Sequence, residues 1–210
     1  MKRRDFLGTM AGAGILLASG NTLAAEYRDG RHFQSITPPV DTGLEDGKLQ
    51  VIEVFWYGCP HCYSFEPKVK EWQTALPDDV EFAYLPAPMN DVWALHSRVF
   101  YTAQQLGVLD DLHQAFYDAI HDQGRLLRSE SAILRFVDQL GLDADEFRET
   151  MRSDSIRAKV VEAAQDIQEY GVSGVPTLVI NGEAIVSASM AGSHDEMLEV
   201  ADYLLERARN

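Results

Sequence analysis

The alternation of apolar and polar positions divides the chain into recognisable elements. Leu49 to Trp56 (LQVIEVFW) is rich in β-branched and aromatic side chains and predicts a buried central strand. Glu53 is the one charged residue inside it. Gly58 breaks the strand, and Pro60 suits the first turn of a helix, where a missing N–H costs nothing. That helix is expected from Pro60 to about Ala75, stopping before Pro77. Val80 to Leu85 (VEFAYL) predicts a second strand, closed by Pro86 and Pro88.

Helical periodicity then takes over. Val92, Leu95, Val99, Ala103 and Leu106 form one apolar stripe, ended by Gly107. Leu112, Ala115, Phe116, Ala119 and Ile120 form a second, and Ile133, Leu134, Val137 and Leu140 a third. Asp143 with Glu146 has the spacing of a capping box for a short fourth helix. A longer fifth runs from Ile156 to Tyr170 and ends at Gly171. Strand chemistry returns at Thr177–Ile180 and Glu183–Val186, joined by the hairpin signal Asn181-Gly182. Ser193 and Glu196 cap a last amphipathic helix with Met197, Val200, Ala201, Leu204 and Leu205 on its buried face. The order is strand, helix, strand, helical block, hairpin, helix. Without the block, what remains is a small α/β sheet sandwiched by helices, so the block reads as an insertion.

The N-terminus is different in kind. Lys2, Arg3 and Arg4 precede an apolar, glycine-containing run from Phe6 to Ser19, too short to span a bilayer. Small residues follow at Thr22-Leu23-Ala24-Ala25. This is the layout of an export signal over residues 1–24. Arg3-Arg4-Asp5-Phe6-Leu7 also resembles the twin-arginine export motif, departing from it at Lys2 and Gly8. Export takes the mature chain out of the cytoplasm.

Charge then narrows the choice of partners. The 210 residues carry 33 acidic and 18 basic side chains, net -15. Removing residues 1–24 takes away three basic groups and one acidic group, leaving net -17. Binding to nucleic acid through a basic surface is excluded, because phosphate contacts need clustered Lys and Arg. An anionic membrane surface is repelled for the same reason.

The chain has two cysteines, Cys59 and Cys62, at the predicted strand-to-helix junction. Cys59 precedes the first helical turn, where unpaired N–H groups and the helix dipole favour a thiolate. Cys62 lies one turn deeper on the same face and is shielded. Cys59 is thus the attacking and attacked sulfur, and Cys62 the resolving one. Pro60 and His61 lie between them, and His61 adds donors or positive charge beside the thiolate. A disulfide closing so short a loop is a poor structural staple. A structural zinc site wants four ligands, and there is no second cysteine pair. Copper(I) on the two thiolates and His61 is the surviving metal alternative. His32, His96, His113, His121 and His194 are scattered, and His113 and His121 read as solvated helix residues. Trp56 and Met89 read as core.

Gly174-Val175-Pro176-Thr177 places a proline at the start of a strand, where a cis bond is purposeful. With the upstream Cys-x-x-Cys in this strand order, the chain resembles the thioredoxin superfamily. Phe55-Trp56-Tyr57-Gly58-Cys59-Pro60-His61-Cys62-Tyr63, the helical insertion and Val175-Pro176 resemble its DsbA-like periplasmic branch. The resemblance covers essentially the whole mature chain. It implies an α/β thioredoxin fold, residues 25–88 and 159–210, with an inserted all-helical domain, residues 89–158. It implies a monomeric dithiol oxidase, without a cofactor, that gives its disulfide to newly exported proteins with free thiols. A DsbB-like, quinone-linked membrane protein is the implied reoxidant. Cys59 then matches the nucleophile, Cys62 the resolving cysteine, Pro60-His61 the tuning dipeptide, and Val175 with cis-Pro176 the substrate-docking segment. Glu53 matches a buried glutamate that moves protons to and from Cys62 and often pairs with a lysine on the neighbouring strand. Val80 to Leu85 contains no lysine, so that partner is missing or comes from elsewhere. A reductase or isomerase and a metal carrier are the competing functions.

Overall fold

The computed structural model describes residues 27–209, so the export-signal reading of residues 1–24 lies outside the described residues. The chain opens with a two-residue strand β1 (Gln34–Ser35), then β2 (Leu49–Phe55), helix α1 (Pro60–Gln73) and β3 (Val80–Pro86). Five helices follow: α2 (Asp91–Leu106), α3 (Leu109–His121), α4 (Glu130–Gln139), α5 (Ala144–Met151) and α6 (Asp154–Glu169). The chain returns to the sheet with β4 (Thr177–Ile180) and β5 (Ala184–Ser187), then ends with α7 (Ala188–Ala191) and α8 (His194–Ala208). None of the described helices is long and apolar enough to cross a membrane.

The sheet order is β1-β5-β4-β2-β3. Its centre, β2, pairs parallel with β3 and antiparallel with β4. A parallel neighbour needs a crossover, and α1 supplies it. Side chains alternate across β2. Val51 faces the core built by Phe65 and Val69 of α1 and by Met197, Val200 and Leu204 of α8. Ile52 and Val54 face the opposite layer, with Ala163 and Ile167 of α6. Alternation therefore puts Glu53 on the α1 side of the central strand. Phe55 points the same way and joins a third core containing Phe100, Phe116 and Tyr117 of the inserted helices. Helix α6 runs unbroken through position 158 and packs on the sheet, so one rigid element carries the inserted helices back to β4.

Helix starts follow local chemistry. Asn90 accepts from the N–H groups of Val92 and Trp93, Asp143 from Asp145 and Glu146, and Ser193 from Glu196. The hairpin differs from its expectation by one residue, since β5 begins at Ala184 rather than Glu183. Asn181 (φ 49) and Gly182 (φ 63) are both left-handed, and the turn closes with Glu183 N–H on the Ile180 carbonyl at 2.9 Å. Glu183 then turns its own carbonyl to Ile36 N–H at 2.7 Å, which draws β1 onto the edge of β5. A Cβ at Gly182 would lie 2.0 Å from the Val40 carbonyl oxygen, so only glycine fits.

Candidate active site

Strand β2 ends in a tight turn, closed by Cys59 N–H on the Trp56 carbonyl at 2.9 Å. Cys59 is the N-cap of α1, with extended backbone (φ -89, ψ 117) and Pro60 in the first turn. Its Sγ accepts the Cys62 N–H at 3.4 Å. The two cysteines are unbridged. Cys62 is fully buried, while Cys59 keeps 8% of its surface. Cys59 is thus more enclosed than a helix-start position alone suggests, and it belongs to the apolar core that includes residues of α2, α3, α4 and α5.

The environment drives the two thiols apart. The Cys62 side chain, its N–H, the His61 N–H and the nearby His61 ring lower Cys59 from 9.0 to about 6, against the cost of its burial. Burial, followed by the hydrogen bond and charge of Cys59, pushes Cys62 well above its ordinary value. Orphan N–H groups at a helix start favour a thiolate on the cap, and depth penalises one a turn further in.

The Val175–Pro176 bond is cis. Cys59 Sγ lies 3.6 Å from the Val175 carbonyl, so the segment before β4 touches Cys59 across 116 residues of sequence. Thr177 braces this segment by donating to the Gly174 carbonyl at 2.8 Å. Beside it opens a cleft of roughly 670 Å³, lined by His61, Val175, Pro176, Thr177, Ser189 and His194 among others. Among the described residues, no carboxylate, ammonium or guanidinium group lines it, although the chain is strongly acidic. Burial, then His61 and Lys68, lower His194.

Behind the cysteines lies a buried polar cluster. Glu53 is fully buried and opposite Tyr84 of β3, and neither carboxylate oxygen has a hydrogen-bond partner. Desolvation, then the charge of Glu66, raises it well above the carboxylate range. Glu66, also fully buried, is better served. Its Oε1 accepts from Tyr84 Oη at 3.1 Å and meets Lys70 Nζ at 3.0 Å and His113 Nε2 at 3.3 Å. Burial pushes Glu66 up, but His113 and Lys70 outweigh it and hold Glu66 below the usual range. The cation near Glu53 is therefore Lys70 of α1, which reaches Glu66 beside the His113 ring of α3, and it does not come from the neighbouring strand.

Two histidine readings are corrected here. His113 is not solvated: it is 5% exposed, with Nδ1 2.8 Å from Tyr57 Oη. His121 is half-buried, and its Nε2 lies 2.8 Å from the Tyr57 carbonyl. Both sit on α3, eight residues apart and so on nearly one face. Glu66 was missed as well. Its spacing in α1 matches the buried Cys62, Phe65 and Val69, which was the available signal. Trp56 is only half-buried and stacks on Trp93 at 4.3 Å, and Met89 is 39% exposed, so neither is plain core. Among the described residues, no group of three or more His, Cys, Asp or Glu side chains could hold a metal ion.

Known proteins share this fold. Residues 50–198 match the model of the DSBA-like thioredoxin domain. A thiol:disulfide interchange protein DsbA of Pseudomonas aeruginosa is 38% identical over 186 residues, covering 89% of this chain and 88% of its own. The DsbA of Azotobacter vinelandii is 34% identical over 212 residues, covering 99% of each. The crystal structure of P. aeruginosa DsbA superposes with a TM-score of 0.84 at 38% identity, over 89% of this chain and 96% of that one. The chain therefore belongs to the DSBA-like thioredoxin-domain family and is a thiol:disulfide oxidoreductase.

Proposed function

We propose that this oxidoreductase works as a dithiol oxidase of the periplasm, giving its Cys59–Cys62 disulfide to newly exported polypeptides. The observation that carries this reading is the split between the two thiols, with Cys59 near 6 and Cys62 well above its ordinary value. A substrate thiolate attacks Cys59 Sγ. The Cys59–Cys62 bond breaks, and Cys62 leaves with the electron pair. Cys62 is buried, which disfavours its thiolate, so it takes a proton, and in this reading the buried Glu53, whose own burial favours its protonated form, gives it. A second substrate thiolate then attacks the substrate sulfur of the mixed disulfide and expels Cys59. That leaving group is good because its thiolate is stabilised. The substrate loses two electrons and two protons; one proton restores Glu53 through solvent and the other stays in solvent, and the enzyme ends with Cys62 as a thiol and Cys59 as a thiolate.

Pro60 leaves the helix start free of a competing N–H, and the His61 N–H and ring beside the sulfur favour its thiolate. Val175 and Pro176 present a backbone edge over Cys59. A cleft in which no carboxylate, ammonium or guanidinium group of the described residues takes part suits a polypeptide of any sequence, held through its main chain. A DsbB-like, quinone-linked membrane protein completes the cycle by taking the electrons. The test is the redox equilibrium of the Cys59–Cys62 couple against glutathione. An oxidase gives a strongly oxidising couple, whereas a potential in the thioredoxin range overturns the assignment.

A further inference from the structure

The turn that delivers Cys59 has a built-in ambiguity. Trp56 and Cys59 are its ends, joined by the 2.9 Å hydrogen bond, and Tyr57 and Gly58 are its centre. In such a turn the middle peptide has two orientations that keep the closing bond. They place the Tyr57 carbonyl on opposite sides, and the flipped form needs a left-handed residue in the third position. Glycine admits both. Gly58 is not left-handed in this structure. Trp56 lies against it, so closely that a Cβ there would fall 2.3 Å from the indole.

His121 selects between the two orientations. A carbonyl only accepts, so His121 Nε2 carries its hydrogen and donates to the Tyr57 oxygen at 2.8 Å. Flipping the peptide breaks this bond and leaves a carbonyl on a fully buried residue to find another donor. The imidazole is itself held. It stacks on Tyr63, the residue after Cys62, at 4.8 Å between centroids and 13° between planes. Tyr63 Oη in turn reaches Asp118 at 3.1 Å and Asp122 at 2.7 Å, at the same end of α3. The end of α3 therefore grips the redox motif on both flanks. It acts across 64 residues of sequence on Tyr57.

We infer that His121 is a positioning residue of the redox site: its hydrogen bond to the Tyr57 carbonyl holds the turn in the one orientation that seats Cys59 Sγ on the helix-start N–H groups. The inference rests on the motif being the redox couple and deepens the proposed function, since the poise of the couple then depends on the inserted helices. His121→Phe keeps a ring against Tyr63 and removes the donor. His121→Gln keeps a donor and removes the ring.

The experiment measures, for each variant, the equilibrium of the couple with glutathione and the Cys59 thiolate absorbance against pH. His121→Phe is expected to shift the equilibrium about fivefold toward the enzyme disulfide, the worth of one neutral hydrogen bond, and to raise the Cys59 titration in step. His121→Gln is expected to stay within about twofold of the unmutated protein, because the donor survives. Should the Phe variant not fold, His121→Met, flexible and without a donor, carries the same expectation. An unshifted equilibrium in the donor-free variants overturns the inference, and so does a Gln variant displaced as far as the Phe one. The absolute potential of the unmutated protein tests the oxidase reading separately. A reducing value would sink that reading, while the displacement between variants would still decide the role of His121.

Discussion

Ionisation of Cys59 ties the active site to the stability of the fold, and the size of the effect follows from its titration. In the folded dithiol form Cys59 titrates near 6, whereas an unfolded cysteine titrates near about 8.5. The folded value is depressed, so the stabilisation is complete above the unfolded value and disappears as pH falls through the folded one. Linkage over these two values gives about 0.1 kcal/mol at pH 5, about 1.4 kcal/mol at pH 7 and about 2.5 kcal/mol at pH 8. Cys59 is buried, so little solvent screening reduces these figures. The disulfide form has no thiolate and lacks the term. It gains instead from closing a four-residue loop in the unfolded chain, about 2 kcal/mol at every pH. The two effects are similar in size near neutrality. The pH slope, rather than the sign at one pH, therefore isolates the thiolate. The assay is urea unfolding of the reduced and oxidised proteins from pH 5 to 8. Carboxylates and histidines titrate in both forms, so their contributions largely cancel in the difference. Relative to the oxidised form, the reduced form is expected to gain about 2.5 kcal/mol across this range, more than half of it by pH 7. A difference that stays flat would refute the thiolate as a source of folding free energy and, through the thermodynamic cycle, as a source of oxidising power.

Three further outcomes are expected. Cys62→Ser should accumulate mixed disulfides through Cys59, while Cys59→Ser should form none. In the unmutated dithiol, Cys59 should alkylate at least about tenfold faster than Cys62 at pH 7, since only Cys59 is ionised there, and equal rates would contradict the assignment of roles. Glu53→Gln keeps the shape of the side chain and removes its proton. The folded value of Glu53 is raised, so its contribution is full at acid pH and becomes a penalty as pH rises. The variant should therefore be more stable than the unmutated protein at pH 7 and lose that advantage toward pH 4, with slower turnover, as read by denaturant unfolding and a dithiol oxidation assay. Gly182→Ala imposes a side chain on a left-handed residue and drives its Cβ into the Val40 carbonyl. Unfolding should show a loss of roughly 2 kcal/mol or more, and a neutral result would mean that the hairpin and the strap over it move freely.

What could be read along the chain was whatever short-range chemistry governs. Cys59 at the start of α1, the caps at Asn90, Asp143 and Ser193, and the left-handed Asn181-Gly182 pair all depend on residues within four positions of one another. The apolar stripes of the inserted helices were legible because burial of one helix face imposes a period of 3.6. Strand β1 was not, for it has two residues and forms only because the hairpin turns a carbonyl toward Ile36. The surroundings of the cysteines were hidden for a related reason. His113 and His121 look alike and polar in sequence, and nothing near them indicates that α3 folds back on Tyr57, 56 and 64 residues earlier. Glu53 was visible as an anomaly in an apolar strand, yet whether it met a cation depended on α1 and α3 lying against the same face of β2. The sequence by itself determined the reacting atoms and the helix start that activates one of them, because a thiol and the N–H groups that stabilise it are neighbours along the chain. Only the tertiary structure decided which buried charges meet behind them and which histidine holds the turn, because those contacts exist only once the inserted helices pack against the sheet.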